Sequence, residues 1–310
     1  MNNLKIMLLS AGTGGGEMFN VLYNDLTKYL KLNIQNIQNI SLTNTAKRVN
    51  KQSTLLQEKE VYTLIDKFCP NVIIYETSNI CPLMIEILSK YKNKIYLVSI
   101  MDVYDETNRR FKNLIPNLIC TPTQSIYNQM KNYGYDNLFL FTNPTILELN
   151  KYEYNKKPFN NNSKIKILLT SQGVNKEYRE KTNEIIEVIN NSFENYSLTI
   201  KLHPEELNIN TLILNNKCNI LYDNPCETIE DLLLSYDLVI GVNSTLQLKS
   251  YLLNIPTIFY EDMYNDINNF KENKTLCTNF KYKDFIDCKD FFLYKKRLKT
   301  LLNIIKDNIF

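Results

Sequence analysis

The chain opens on LKIMLLS (4–10), a continuous apolar run of strand length, which leads through SAGTGGGE into a segment with helical spacing over 16–31. A run apolar at every position suits a parallel strand covered on both faces. The pattern then recurs. NVIIYET (71–77) and KIYLVSI (94–100) read as strands, preceded by the helical segments IDKFC and LMIEILSKY. NLICTPT (117–123) and NLFLFTNP (137–144) follow, with SIYNQMKNYG between them as a helix ending at Gly134. Strands alternating with helices predict a doubly wound parallel sheet.

The polar, Asn-rich stretch around Pro158 interrupts this pattern, and afterwards it restarts. KIKILLTSQG (164–173), YSLTIKLHPEE (196–206), CNILYD (218–223), DLVIGVNS (237–244) and PTIFYED (256–262) read as strands with their terminal loops, separated by helical segments. The expected fold class is therefore α/β, with two Rossmann-like, doubly wound parallel-sheet domains. Their boundaries are 1–150 for the first domain, 151–164 for the linker and 165–288 for the second domain. Residues 289–310 form an amphipathic helix expected to pack back on the first domain, with Lys295, Lys296, Arg297 and Lys299 among its apolar positions.

Composition narrows the function classes. The balance of 36 basic and 33 acidic residues gives no general affinity for nucleic acid, so any anion site must be local. The seven cysteines are scattered without a CxxC pair, which fits thiols in a reducing cytoplasm better than zinc or disulfides. No apolar run reaches the roughly 18–20 residues of a membrane span, and the first residues read as a strand, not a leader. The expected location is cytoplasmic.

Four of only seven glycines, Gly12, Gly14, Gly15 and Gly16, fall within five positions, so something must approach that backbone closely. GTGGGE lacks the order of a GxGxxG dinucleotide turn, and no GKS or GKT follows it. Ligands of open α/β sheets bind beyond the carboxyl ends of the strands. Four strand-terminal segments qualify: the glycine turn with Glu17, Ser171-Gln172, His203-Pro204 and Asn243-Ser244-Thr245. His203 is the sole histidine, and can be either a satisfied structural residue or a donor to a phosphate. Ser244 or Thr245 caps the next helix, which is either an ordinary N-cap or a phosphate site.

IKLHPEE followed by VIGVNSTLQLKSYLLNIPTIFYE resembles the C-terminal domain of GT-B glycosyltransferases, and within them the HP-motif group of polysialyltransferases and capsule sialyl- or Kdo-transferases. NLICTPTQSIYNQMKNYGYDNLFLFTNPT and ILLTSQG resemble, more generically, the end of the acceptor domain and the start of the donor domain of that fold. The resemblance implies two domains facing across a cleft and an inverting, metal-independent transfer of a sugar to a surface glycan or glycolipid. A CMP-linked sialic-acid-like or Kdo-like donor is favoured over a UDP-linked one, with no further cofactor.

On that resemblance His203, Pro204 and Glu205, together with Asn243, Ser244 and Thr245, contact the donor phosphate and nucleotide, while Ser171 and Gln172 line its pocket. Glu206 is an alternative to Glu205 at the ribose or base. Gly14, Gly15 and Gly16 let the backbone approach the donor, and Glu17 is the general base, with a helix-start glutamate as the alternative reading. Asp102, Asp105 and Glu106 are second-choice bases, with Arg109 and Arg110 contacts for an anionic acceptor, and a solvated loop is the alternative reading; the family's acidic tripeptide ending in glycine is absent. Lys295, Lys296 and Arg297 suggest peripheral docking on anionic lipid.

Three rivals are carried beside this reading. One is a UDP-sugar GT-B transferase or a glycerophosphotransferase. Another is a nucleotide-sugar 2-epimerase, whose usual set of catalytic histidines and acids is missing from a chain with one histidine. The third is a non-catalytic partner that binds a nucleotide or glycan.

Overall fold

The computed structural model describes residues 4–77, 80–101, 114–147, 149, 164–172, 176–203, 206, 212, 218–222, 226, 228–242, 244–273 and 291–309. The chain divides into two compact units, Met1–Glu148 with Asp287–Phe310, and Leu149–Ile286. The expected linker falls, but for Lys164, outside the described residues.

The first unit runs β1 (Ile6–Ser10), α1 (Thr13–Asn24), β2 (Ile37–Ser41), α2 (Asn44–Val49), β3 (Thr54–Leu55), α3 (Glu58–Phe68), β4 (Val72–Glu76), α4 (Pro82–Tyr91), β5 (Tyr96–Ile100), β6 (Leu118–Thr121), α5 (Gln124–Asn132), β7 (Leu138–Leu140) and α6 (Pro144–Leu147). Its seven strands are parallel, in the order β3-β2-β1-β4-β5-β6-β7. The pleat of β1 sends Ile6 and Leu8 into a cluster with Phe19 and Leu22 of α1, and Met7 and Leu9 into a second with Val61 and Ile65 of α3. Apolar cover on both faces is why the opening run has no polar register.

Two features of this unit depart from the sequence pattern. The helix expected over 16–31 begins at Thr13 and passes after Asn24 into a π-helical turn, Asp25–Tyr29. The glycines therefore belong to a helix start and not to an open loop: Gly12 is the N-cap, and Gly16 N–H already donates to Gly12 O at 2.9 Å. The other departure is β2, a strand inside the Asn-rich IQNIQNIS with a buried asparagine at its centre. Asn39 is tolerated there because it exchanges two hydrogen bonds with Asn50, at 3.0 and 2.9 Å, leaving neither amide unmatched.

The second unit runs β8 (Ile165–Thr170), α7 (Lys176–Ser192), β9 (Tyr196–Lys201), β10 (Cys218–Leu221), α8 (Ile229–Leu234), β11 (Leu238–Gly241), α9 (Thr245–Leu252), β12 (Thr257–Phe259) and α10 (Met263–Asn273). Its five parallel strands lie in the order β10-β9-β8-β11-β12. One face packs Ile167, Leu198 and Ile240 against Ile185 and Ile189 of α7 and Phe270 of α10. On α8 and α9, buried Leu233 and Leu248 accompany a buried ion pair, Lys249 Nζ to Glu230 Oε1 at 3.1 Å.

The last helix, α11 (Phe291–Ile309), returns to the first unit. Tyr294, Leu298, Leu301 and Ile305 recur at helical spacing and enter the cluster around Ile6 and Phe19. The Tyr294 hydroxyl donates to Asp25 Oδ2 at 2.7 Å, and burial together with Asp25 holds this phenol well above its usual pKa. Arg297 donates to the Thr142 hydroxyl at 3.0 Å, and Lys295 Nζ lies 4.0 Å from the centre of the Tyr29 ring. Two of the three cations expected to face lipid are thus turned to the protein's own groups. Among the described residues no helix is long and apolar enough to cross a membrane.

Candidate functional site

In the second unit the chain steps from β8 to β9 and β10 on one side, then places β11 and β12 on the other. The order reverses between β8 and β11, the position at which open α/β sheets bind ligands. Register aligns the ends of the three strands concerned: Thr170 pairs with Lys201 of β9 and with Gly241 of β11. Ser171 follows directly after β8, His203 comes two residues after β9, and Ser244 three after β11. Sheet topology thus brings three of the expected site residues to one edge, although they are distant in sequence.

The loop after β9 is held by Glu206. Its carboxylate accepts the Ser171 hydroxyl on Oε1 at 2.9 Å and the His203 backbone N–H on Oε2 at 3.2 Å, while Glu206 N–H donates to His203 O at 2.9 Å. At 8% exposure the carboxylate is spent inside the unit. Glu206 is therefore not placed to read a ribose or base; it positions Ser171 and His203 relative to each other. The signal for it was present as the i, i+3 spacing of His203 and Glu206 in HPEE.

On the other side of the reversal point, Ser244 is the N-cap of α9, its hydroxyl oxygen accepting Leu246 N–H at 3.2 Å. A hydroxyl that accepts in a cap still carries a proton to donate. One turn on, Gln247 is fully buried and its Nε2 donates to Gly241 O at 2.9 Å and Ile258 O at 3.0 Å, which locks α9 onto β11 and β12. Gly241 must be glycine, since a Cβ there would lie 2.2 Å from Thr170 Oγ1 and 2.9 Å from the Gln247 amide. Gln172 and Thr245 are half-buried at the same edge. Pro204, Glu205 and Asn243 lie outside the described residues, as do Asp102, Asp105, Glu106, Arg109 and Arg110.

The first unit has its own reversal point, between β1 and β4, where the glycine turn sits. The group that approaches this turn belongs to the protein. Glu76, at the end of β4 and fully buried, accepts Ala11 N–H at 3.2 Å and Gly12 N–H at 3.1 Å on Oε1. A Cβ on Gly15 would fall 2.0 Å from Glu76 Cγ and 2.3 Å from its Cδ; one on Gly16 would fall 2.5 Å from Val49 Cγ2 and 2.7 Å from Ala46 O. Gly15 and Gly16 are therefore each required by the protein's own packing, against Glu76 and α2. Glu17 is half-buried and lies beyond the first turn of α1, where no acidic residue stands, so the alternative reading as a helix-start glutamate does not describe it. Among the described residues no cluster of His, Cys, Asp and Glu side chains could hold a metal ion.

No protein-family model matches the sequence, and no curated protein matches it. Solved structures do match in fold. A Listeria monocytogenes protein assigned as a UDP-N-acetylglucosamine 2-epimerase is 12% identical, with a TM-score of 0.70 over 99% of this chain and 97% of that one. Staphylococcus aureus MnaA in complex with UDP is 10% identical, with a TM-score of 0.70 over 98% of both chains. The UDP-GlcNAc 2-epimerase of Neisseria meningitidis bound to UDP-GlcNAc is 12% identical, with a TM-score of 0.58 over 97% of this chain and 100% of that one. At such identities the likeness shows the fold, two parallel-sheet α/β units of the GT-B type, and it does not extend to the sialyl- and Kdo-transferase group expected from the HP motif.

Proposed function

We propose that this protein acts on a UDP-linked sugar, holding the nucleotide at the strand ends of its second unit. The observation that carries the reading is the convergence of Ser171, His203 and the Ser244-capped start of α9 on the two sides of the β8/β11 reversal point. In this reading the Ser244 hydroxyl, its oxygen already engaged in the cap, donates its proton to a phosphate oxygen, and the start of α9 adds the favourable end of its dipole. His203 donates to the same diphosphate and stabilises the charge that develops as UDP departs. The GT-B-type structures that hold UDP and UDP-GlcNAc favour a UDP-linked over a CMP-linked donor.

The reaction favoured is transfer. An acceptor hydroxyl attacks the anomeric carbon, the C1–O bond breaks with its electron pair leaving on UDP, and a carboxylate takes the hydroxyl proton. Epimerisation is the second reading, favoured by the solved structures of like fold and opposed by the single histidine of the chain.

Thermal shifts with UDP and CMP, on wild type and His203→Ala, test the binding step. A shift with UDP that His203→Ala abolishes supports the reading; a shift with CMP alone, or none with either, overturns it. UDP-GlcNAc incubated with the protein in the absence of acceptor then separates the reactions, because epimerisation needs no acceptor and transfer does. A UDP shift with neither product leaves a binding protein.

A further inference from the structure

The β1–α1 turn of the first unit has the parts of an anion site: a reversal point in the strand order, a glycine N-cap, and successive backbone N–H groups aimed at one spot. That spot is filled. Oε1 of Glu76 receives Ala11 N–H and Gly12 N–H, and the carboxylate lies against the first turn of α1, within 2.6 Å of where a Gly15 Cβ would stand. Gly12 caps α1 without any side-chain hydrogen bond, and no acidic residue follows in its first turn, so the negative charge at this helix start arrives from β4. Glu76 is fully buried and its strand is apolar up to that residue, VIIYE.

We infer that Glu76 is a built-in anion that occupies the phosphate position of the first unit and so determines that its glycine turn excludes anionic ligands. A carboxylate on two N–H groups takes the place that a phosphate oxygen would take, and those N–H groups are already spent on it. The consequence for recognition is a division of labour: phosphate-bearing ligands are left to other parts of the chain, and whatever binds at this turn is uncharged there. This holds whether or not the second unit binds UDP.

The test removes the anion and offers another. Glu76→Ala leaves a space of carboxylate size on the two N–H groups, and formate or inorganic phosphate should refill it, giving a saturable rise in melting temperature of about 2–4 °C over chloride at equal ionic strength. Wild type and Glu76→Gln, in which the space is full, should show no such rise with formate. An equal response in all three proteins, or none in Glu76→Ala, overturns the inference. Should Glu76→Ala fail to fold, the wild type decides alone: the amide resonances of Ala11, Gly12 and Gly14 should stay unmoved on titration with inorganic phosphate, and saturable shifts there overturn it.

Discussion

Ser171 donates its hydroxyl proton to Glu206 at 2.9 Å across 35 residues of sequence, and the same carboxylate takes the backbone N–H of His203. The strand ends β8 and β9 are therefore joined by one buried side chain, which makes the position of His203 depend on a residue that need not touch any ligand. Glu206→Ala leaves the Ser171 hydroxyl and the His203 N–H without their acceptor, at a cost of about 1–3 kcal/mol for each group that stays buried and unmatched. Urea unfolding should show that loss, and under the proposed function the thermal shift expected with UDP should fall as is expected for His203→Ala. Glu206→Gln keeps one acceptor oxygen and should fall between the two.

Two glycines differ in why they cannot be replaced. At Gly15 an added methyl group meets the buried Glu76 side chain at 2.0 Å, and Gly15→Ala should cost about 1–3 kcal/mol by overpacking. At Gly134 nothing lies within 4 Å of the added carbon, but φ is +90°, so Gly134→Ala should cost about 1–2 kcal/mol through backbone strain alone. Adding Glu76→Ala should relieve Gly15→Ala and leave Gly134→Ala unchanged, as a double-mutant cycle on unfolding free energies would read.

The pair Lys249–Glu230 is nearly sealed from water, with side-chain exposures of 8% and 9%. Lys249→Met strands the Glu230 carboxylate in that setting and should destabilise the second unit by about 3–5 kcal/mol. Lys249→Met combined with Glu230→Leu removes the stranded charge and should recover most of the loss. Chemical denaturation of the two variants distinguishes a pair held for stability from one whose desolvation cancels its attraction.

Asp266 on α10 is pushed up to about 6, first by burial and then by Asp262. Its ordinary unfolded value is about 3.9, so the folded state binds the proton more tightly. The stabilisation from protonation is complete below the unfolded value and is lost as pH rises through about 6. Asp266→Asn removes this dependence. The variant should be more stable than wild type at pH 7, and the difference should shrink steadily towards pH 4; urea midpoints of both proteins across that range check the sign.

The order of strands and helices was legible because the parallel strands are apolar on both faces: LKIMLLS, NVIIYET and DLVIGVNS announce themselves without any partner. The loops that follow such strands were legible as candidate site positions for the same reason, since the carboxyl edge of a parallel sheet is where its ligands lie. Ser171, His203 and Ser244 were reached in this way, and the N-cap role of Ser244 is local enough to be read from the sequence of its own turn.

What only the tertiary structure decided were the roles of polar groups whose partners come from elsewhere in the chain. Asn39 can stand inside β2 because Asn50 meets both ends of its amide. Glu206 is a clamp because β8 ends beside β9, and the glycines of the first turn admit Glu76 because β4 lies next to β1. A hydrophobic period is a property of consecutive residues, and the chain carries it by itself. The use of a buried carboxylate or amide is set by the group that meets it, and folding alone chooses that group.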